Sequence, residues 1–148
     1  MTGHPMPTID QMLCFAVYSA GHAFTRFYKP RLDALELTYP QYLVFLVLWE
    51  KDDLTVKALG DKLFLDSGTI TPLVKRLEAR GLVRRQRDEE DERQVRIFLT
   101  PEGRGLRARA LAVPLAVGKA LGGDATAADA MRQGLQQLRE RLDAALEG

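Results

Sequence analysis

One thiol and a few phenols carry the most specific chemistry in this chain. Cys14 is the only cysteine among 148 residues. That excludes an intramolecular disulfide, a thiolate zinc cluster and a paired-cysteine redox motif together. It sits in LCFAVYSA, between Leu13 and Phe15 near the start of a helical pattern, where a free cysteine is ordinarily a small packing residue. Three tyrosines supply a second reading: Tyr18 lies one turn from Cys14, and Tyr28 and Tyr39 follow on the next segment and helix start. A phenol donating to sulfur favours the thiolate, the form that attacks electrophiles, and the positive end of a helix does so more weakly. Tyr28 cannot reach Cys14 within its own helix, because 14 residues at ~1.5 Å each set them ~21 Å apart. An antiparallel copy of the same helix could supply it, since two-fold symmetry places residue i against j and j against i. His4 and His22 have no metal-ligand spacing to each other or to Cys14, and no phosphate-binding loop or nucleophile–base triad stands out. The expectation is a chain with no metal, no cofactor and no enzyme active site.

The second chemically marked region is basic. Lys plus Arg total 21 against 20 Asp plus Glu, for a net charge of +1, so global charge points to neither nucleic acid nor membrane. The distribution is uneven: residues 67 to 110 hold 11 basic and 7 acidic groups. Six of the basic ones, Lys75, Arg76, Arg80, Arg84, Arg85 and Arg87, fall between positions 75 and 87 with only Glu78 opposing them. Such a run is ordinarily a solvated face. Its coincidence with a segment patterned to enter a DNA groove favours the nucleic-acid reading.

The elements that must position these groups follow from apolar spacing. From about Ile9 to Leu37, Leu13, Val17, Ala20, Phe24, Phe27 and Leu35 describe an amphipathic helix, and Pro30 predicts a kink or break. Thr38 and Gln41 have capping-box spacing with Pro40 in the first turn, so YLVFLVLWE starts a second helix, apolar all round and central to the fold. Val56, Leu59 and Leu63 mark a short helix ending near Leu65. Another begins at Asp66 or Ser67 with Ile70, Leu73, Val74 and Leu77 inward. Together they make a helix-turn-helix, stopped at Arg80-Gly81 by a cation and a left-handed glycine.

Leu82 to Arg87 and Val95 to Thr100 read as two strands joined by the tip DEEDER, with Val95, Ile97 and Leu99 facing in. Thr100-Pro101 opens a helix that is interrupted by Pro114 and ends at Gly122-Gly123. Met131, Leu135, Leu138, Leu142 and Ala145 then step by fours and threes in a coiled-coil-like seam. The expected fold is mainly α with a small β-hairpin: a winged helix-turn-helix at 38–110 between terminal dimerisation helices at 1–37 and 111–148. The longest apolar run, Tyr42 to Trp49, falls far short of the ~18 residues that span a bilayer. With no charged-then-apolar leader in MTGHPMPTID, the chain is expected to be cytoplasmic, with no membrane partner.

In that frame a recognition helix puts Ser67, Gly68, Thr69, Thr71 and Pro72 toward the major groove, with Lys75 and Arg76 one turn later. Pro72 predicts a local irregularity. Arg85, Arg87, Arg93 and Arg96 are candidate wing contacts to phosphate or minor groove. The five acids from Asp88 to Glu92 must either turn away from the duplex or, as Asp91 could, hold Arg93 in a fixed pose.

LCFAVYSA, FYKPRLDALELTYPQYLVFLVLWE, LTVKALGDKLFLDSGTITPLVKRLEARGLV and RDEEDERQVRIFLT closely resemble the organic-hydroperoxide-resistance regulator (OhrR) branch of the MarR family, over about residues 10 to 110. The resemblance implies a homodimeric winged-helix transcription repressor that holds double-stranded operator DNA while reduced. Its redox-sensor cysteine hydrogen-bonds tyrosines of the other subunit and is oxidised by organic hydroperoxides under oxidative stress. Matched by motif, Cys14 is the sensor, Tyr28 and Tyr39 of the partner chain activate it, and Tyr18 lines the pocket. The DNA-reading helix is then Ser67 to Arg80 and the wing Leu82 to Thr100, with Asp91 and Arg93 as its pair.

Part of the family carries a second, resolving cysteine toward the C-terminus. Residues 111 to 148 contain none, so this chain resembles the one-cysteine type, in which a low-molecular-weight thiol caps the sulfenic acid or oxidation proceeds to irreversible acids. Leu13, Phe15 and Val17 would wall a pocket suited to alkyl or lipid peroxides. Three rivals stand beside this reading: a MarR-type repressor released by a small aromatic ligand, a thiol peroxidase, and a non-specific nucleoid protein.

Overall fold

A computed structural model of the chain describes residues 3–148. A 3-10 turn at Ile9–Gln11 precedes α1 (Leu13–Asp33), α2 (Tyr39–Glu50), β1 (Leu54–Thr55), α3 (Val56–Leu63), α4 (Ser67–Ala79), β2 (Val83–Arg87), β3 (Val95–Leu99), α5 (Pro101–Ala110), α6 (Ala112–Ala120) and α7 (Ala125–Glu147). These elements divide into two units, Met1–Ala110 and Leu111–Gly148. The fold class is the one the sequence predicts, mostly helical with a small antiparallel sheet, and its domain boundaries remain an expectation from sequence.

The core of the first unit lies around α2, which packs against α1, α3, α4 and α5. Thr38 closes a capping box with Gln41, accepting from its backbone N–H at 3.3 Å while the Gln41 side chain accepts from Thr38 N–H at 3.0 Å. This seats two donors that the first turn would otherwise leave open. Tyr42, Val44, Phe45, Val47 and Leu48 are buried, joined by Leu59 of α3, Ile70, Val74 and Leu77 of α4, and Val83, Ile97 and Leu99 of the sheet. Each such side chain contributes roughly 1.5–3 kcal/mol by leaving water.

Two glycines allow the elements to close on one another. A Cβ on Gly60 would stand 2.5 Å from the Leu65 carbonyl, and one on Gly103 would stand 2.1 Å from that of Leu82. The first contact tightens the turn between α3 and α4. The second lets α5 start against the head of β2, where Trp49 Nε1 donates to Gly103 O at 2.9 Å.

The sheet has the order β1-β3-β2, all antiparallel. The hairpin β2–β3 matches the sequence reading, whereas β1, two residues long and paired as Leu54↔Ile97 and Thr55↔Arg96, is too short to leave a periodic signal. Gly81, at φ 74, ends α4 as expected.

Three expectations are corrected. Helix α1 is shorter than Ile9–Leu37 at both ends, and its chain turns at Glu36, whose φ of 56 is left-handed. Pro30 does not break it: the proline sits in the last turn, where only one internal bond is lost. The apolar stripe of α1 faces largely outward: Leu13, Val17 and Phe24 are exposed and Leu32 is the only buried residue of α1. The interruption assigned to Pro114 falls at Leu111, so that Pro114 occupies the first turn of α6, where a missing N–H is tolerated. Asp124 caps α7 by accepting from Ala127 N–H at 3.0 Å, and no residue of α7 is buried. The predicted seam residues Met131, Leu135 and Leu142 all face out. No helix of the described residues is long and apolar enough to cross a membrane.

Candidate functional site

Cys14 occupies the first turn of α1 and is exposed, so the packing role that a lone cysteine ordinarily takes is not its role within one chain. Tyr18, one turn on, is also exposed and meets His22 edge-to-face at 4.4 Å between ring centroids.

Farther along α1 the other two candidate tyrosines come together. Tyr28 and Tyr39 lie 5.0 Å apart, and Tyr42 joins them at 6.0 Å from Tyr28 and 6.3 Å from Tyr39. The sequence reading passed over Tyr42, although its position three residues after Tyr39 puts both on one face of α2. Burial, then the neighbouring Tyr39 and Tyr42, pushes the Tyr28 phenol up to about 12. Burial also raises Tyr39, and burial with the Tyr39 neighbour raises Tyr42. All three therefore keep their protons across the physiological range and can act as hydrogen-bond donors to an anion. The chain thus gathers three phenols, Tyr28, Tyr39 and Tyr42, where the later part of α1 meets α2, and leaves the thiol at the other end of α1.

The second surface is built on α4. Asp66 accepts from Thr69 N–H at 2.8 Å, fixing the first turn so that Ser67, Gly68, Thr69 and Pro72 are exposed and Thr71 is half-exposed, with exposed Lys75 and Arg76 behind them. The irregularity anticipated at Pro72 is absent, for α4 runs unbroken through it. The carbonyl that its missing N–H would have met belongs to exposed Gly68, where water can take its place.

The wing arginines have different duties. Arg93 is held by Asp91 in a two-pronged pair, Nε to Oδ1 at 3.0 Å and Nη2 to Oδ2 at 3.3 Å, yet its side chain stays 90% exposed. This is the pose expected for a presented guanidinium. Its hydrogen bonds hold the Asp91 carboxyl below the usual range. Arg87 donates to Glu92 O at 2.8 Å.

Arg85 and Arg96 are tied into the frame, which sequence reasoning missed because their partners are distant in the chain. Arg85 pairs with Glu78 of α4 at 3.1 Å, and its backbone N–H donates to the same carboxylate at 2.9 Å. Arg96 bridges Asp53 at 2.9 Å and Asp88 at 3.2 Å. Arg84, also overlooked, lies 4.7 Å over the Phe98 ring. Asp52 fastens the inner end of the sheet, accepting from Leu99 N–H and from Arg104, each at 2.9 Å. Burial works against its charge, but the bonds from Leu99, Arg104 and Asp53 outweigh it and keep the carboxyl below its ordinary value. Among the described residues no cluster of three or more His, Cys, Asp or Glu is placed to hold a metal ion.

The chain is similar to known proteins. The family model for the transcriptional regulator SarA/Rot matches residues 26–109. The HTH-type transcriptional regulator TtmR of Methylorubrum extorquens is 54% identical over 144 residues, covering 97% of this chain and 74% of that protein. The organic hydroperoxide resistance transcriptional regulator of Bacillus subtilis is 51% identical over 106 residues, 72% of each chain. Among solved structures, reduced AbfR bound to DNA, from a Staphylococcus epidermidis protein, superposes with a TM-score of 0.80 at 35% identity, covering 90% of this chain and 92% of that one.

Proposed function

Because this chain belongs to the MarR family of winged-helix transcriptional regulators, we propose that it is a homodimeric repressor that senses organic hydroperoxides through Cys14 and then releases its operator. The observation that carries this reading is the layout of α1: an exposed thiol in the first turn, a group of protonated phenols toward the other end, and apolar side chains facing outward between them. An antiparallel second copy laid along that face brings each thiol to the other copy's Tyr28 and Tyr39. The similarity to a hydroperoxide-resistance regulator supports the same chemistry.

In the reduced dimer the phenols donate to the Cys14 thiolate. The sulfur attacks the outer oxygen of a hydroperoxide. The O–O bond breaks, the S–O bond forms, and the departing alkoxide takes a proton to leave as an alcohol. Cysteine is oxidised to sulfenic acid by two electrons and the peroxide is reduced by two. A low-molecular-weight thiol then displaces water from the sulfenic acid to give a mixed disulfide. The first step consumes the thiolate that ordered the phenols, and the mixed disulfide formed in the second is a neutral group in its place.

DNA is held by the N-terminal turn of α4 in the major groove and by Arg93 at the wing, with two-fold copies reading half-sites ~34–36 Å apart. Similarity to a regulator whose reduced form is bound to DNA supports this placement. A useful switch weakens binding at least ~100-fold on oxidation, about 2.7 kcal/mol of coupling. Fluorescence anisotropy of a duplex from upstream of the chain's own gene, with and without cumene hydroperoxide, tests it. The wild type is released, whereas Cys14→Ser binds and stays bound. Release of Cys14→Ser by peroxide would refute the sensor assignment.

A further inference from the structure

The corner between α1 and α2 is held from outside by two arginines. Its backbone turns through the left-handed Glu36, with Glu36 N–H donating to Asp33 O and Leu37 N–H to Leu32 O, each at 3.0 Å. Leu35 and Leu37 on either side are buried. Such a corner leaves helix-end carbonyls in need of donors. Arg80, the residue that ends α4, donates through Nη1 to the main-chain oxygen of Glu36, and its Nη2 lies 3.9 Å from the Glu36 carboxylate. Arg109, in the last turn of α5, donates to Ala34 O at 3.0 Å. The two arms of this corner carry the phenols, Tyr28 on α1 and Tyr39 on α2. Arg80 belongs by sequence to the basic run of the DNA surface, yet its guanidinium is engaged with the corner.

We propose that Arg80 and Arg109 are positioning residues that tie the phenol-bearing corner to the end of the recognition helix and to α5, passing the state of Cys14 to the DNA surface. The inference rests on the peroxide-sensing reading above. When the phenols lose their anionic acceptor and the corner moves, a hydrogen-bonded guanidinium at the C-terminal end of α4 moves that helix with it. Arg85 and Glu78 then carry the shift into the wing, because Glu78 lies on α4 and Arg85 on β2.

The test compares DNA affinity before and after cumene hydroperoxide in the wild-type dimer, Arg80→Gln, Arg80→Lys and Arg109→Gln. Arg109→Gln should bind operator in the reduced state within about threefold of wild type, and in both Arg80→Gln and Arg109→Gln the oxidation-induced loss should fall from at least ~100-fold to below ~10-fold. Cys14 oxidation, followed by mass spectrometry, should proceed at the wild-type rate in both. Arg80→Lys keeps a charged donor and should restore most of the response. If Arg80→Gln does not fold, Arg80→Lys and Arg109→Gln decide the matter: wild-type release ratios in Arg109→Gln would overturn the tether. Arg80→Gln binding DNA more weakly in both redox states by the same factor would overturn it too, and would mark Arg80 as a phosphate contact. A wild type that peroxide does not release would overturn the sensing reading and the tether with it. Wild-type release together with undiminished release of both glutamine variants would overturn the tether alone.

Discussion

The winged region and the first helix contain similar apolar side chains and treat them oppositely. Around α2, α3, α4 and the sheet, Phe45, Leu59, Ile70, Leu77 and Ile97 are sealed from solvent, and the charges at the rim are paired: Asp52 with Arg104, Glu78 with Arg85, Arg96 with Asp53 and Asp88. Along α1, Leu13, Phe15, Val17 and Phe24 stay open. Within the first unit the outward face of α1 stays uncovered, so under the proposed reading the chemistry placed there belongs to an assembly, whereas the proposed DNA-reading surface is built within that unit alone.

The largest effect should separate the two regions directly. Truncating Ile70 to Ala empties a fully buried site and should cost about 2–5 kcal/mol in chemical denaturation. A loss below ~1 kcal/mol would break the contrast. Phe24→Glu is its counterpart. It should lower the dimer fraction in light scattering and slow Cys14 oxidation, and the circular dichroism of the winged region should be retained. A Phe24→Glu protein that remains dimeric would show that the open face of α1 is not where copies meet.

At the DNA surface, Arg93→Ala should reduce the slope of log affinity against log salt by about 1, the signature of one lost phosphate contact. Arg85→Ala should change that slope little, because its charge is already spent on Glu78. Acid gives the smallest effect. The Asp52 carboxyl titrates below its ordinary value when folded, so its contribution is whole above the unfolded value near 4 and fades as pH falls through the lower folded one. Asp52→Asn should flatten that acid limb of stability, and an unchanged limb would assign it to other carboxylates.

Much of the finished region was legible because its signals are local. The Thr38–Gln41 box, the Asp66 start of α4, Gly81 at its end and the alternation of Val95, Ile97 and Leu99 each need only a few neighbouring residues to be read. The misreadings share a different cause. The span of α1 was read too wide, because apolar spacing reports which face is apolar without marking where the helix ends. The break at Leu111 was assigned to Pro114 because a proline disturbs the turn before it, not its own position. Tyr42 was lost in a helix apolar on every side. The ion pairs of Arg85 and Arg96 and the hold of Arg80 on Glu36 join segments that meet only after folding, and no pattern along the chain announces them.

The oxygen that Arg80 grips belongs to the peptide unit at position 36, and deleting the Glu36 side chain does not delete it. Asparagine or glycine there would preserve the acceptor and suit its left-handed backbone, whereas replacing the guanidinium opposite would remove the donor. What the joint requires on one side is the curvature of the main chain at position 36, and on the other the arginine itself.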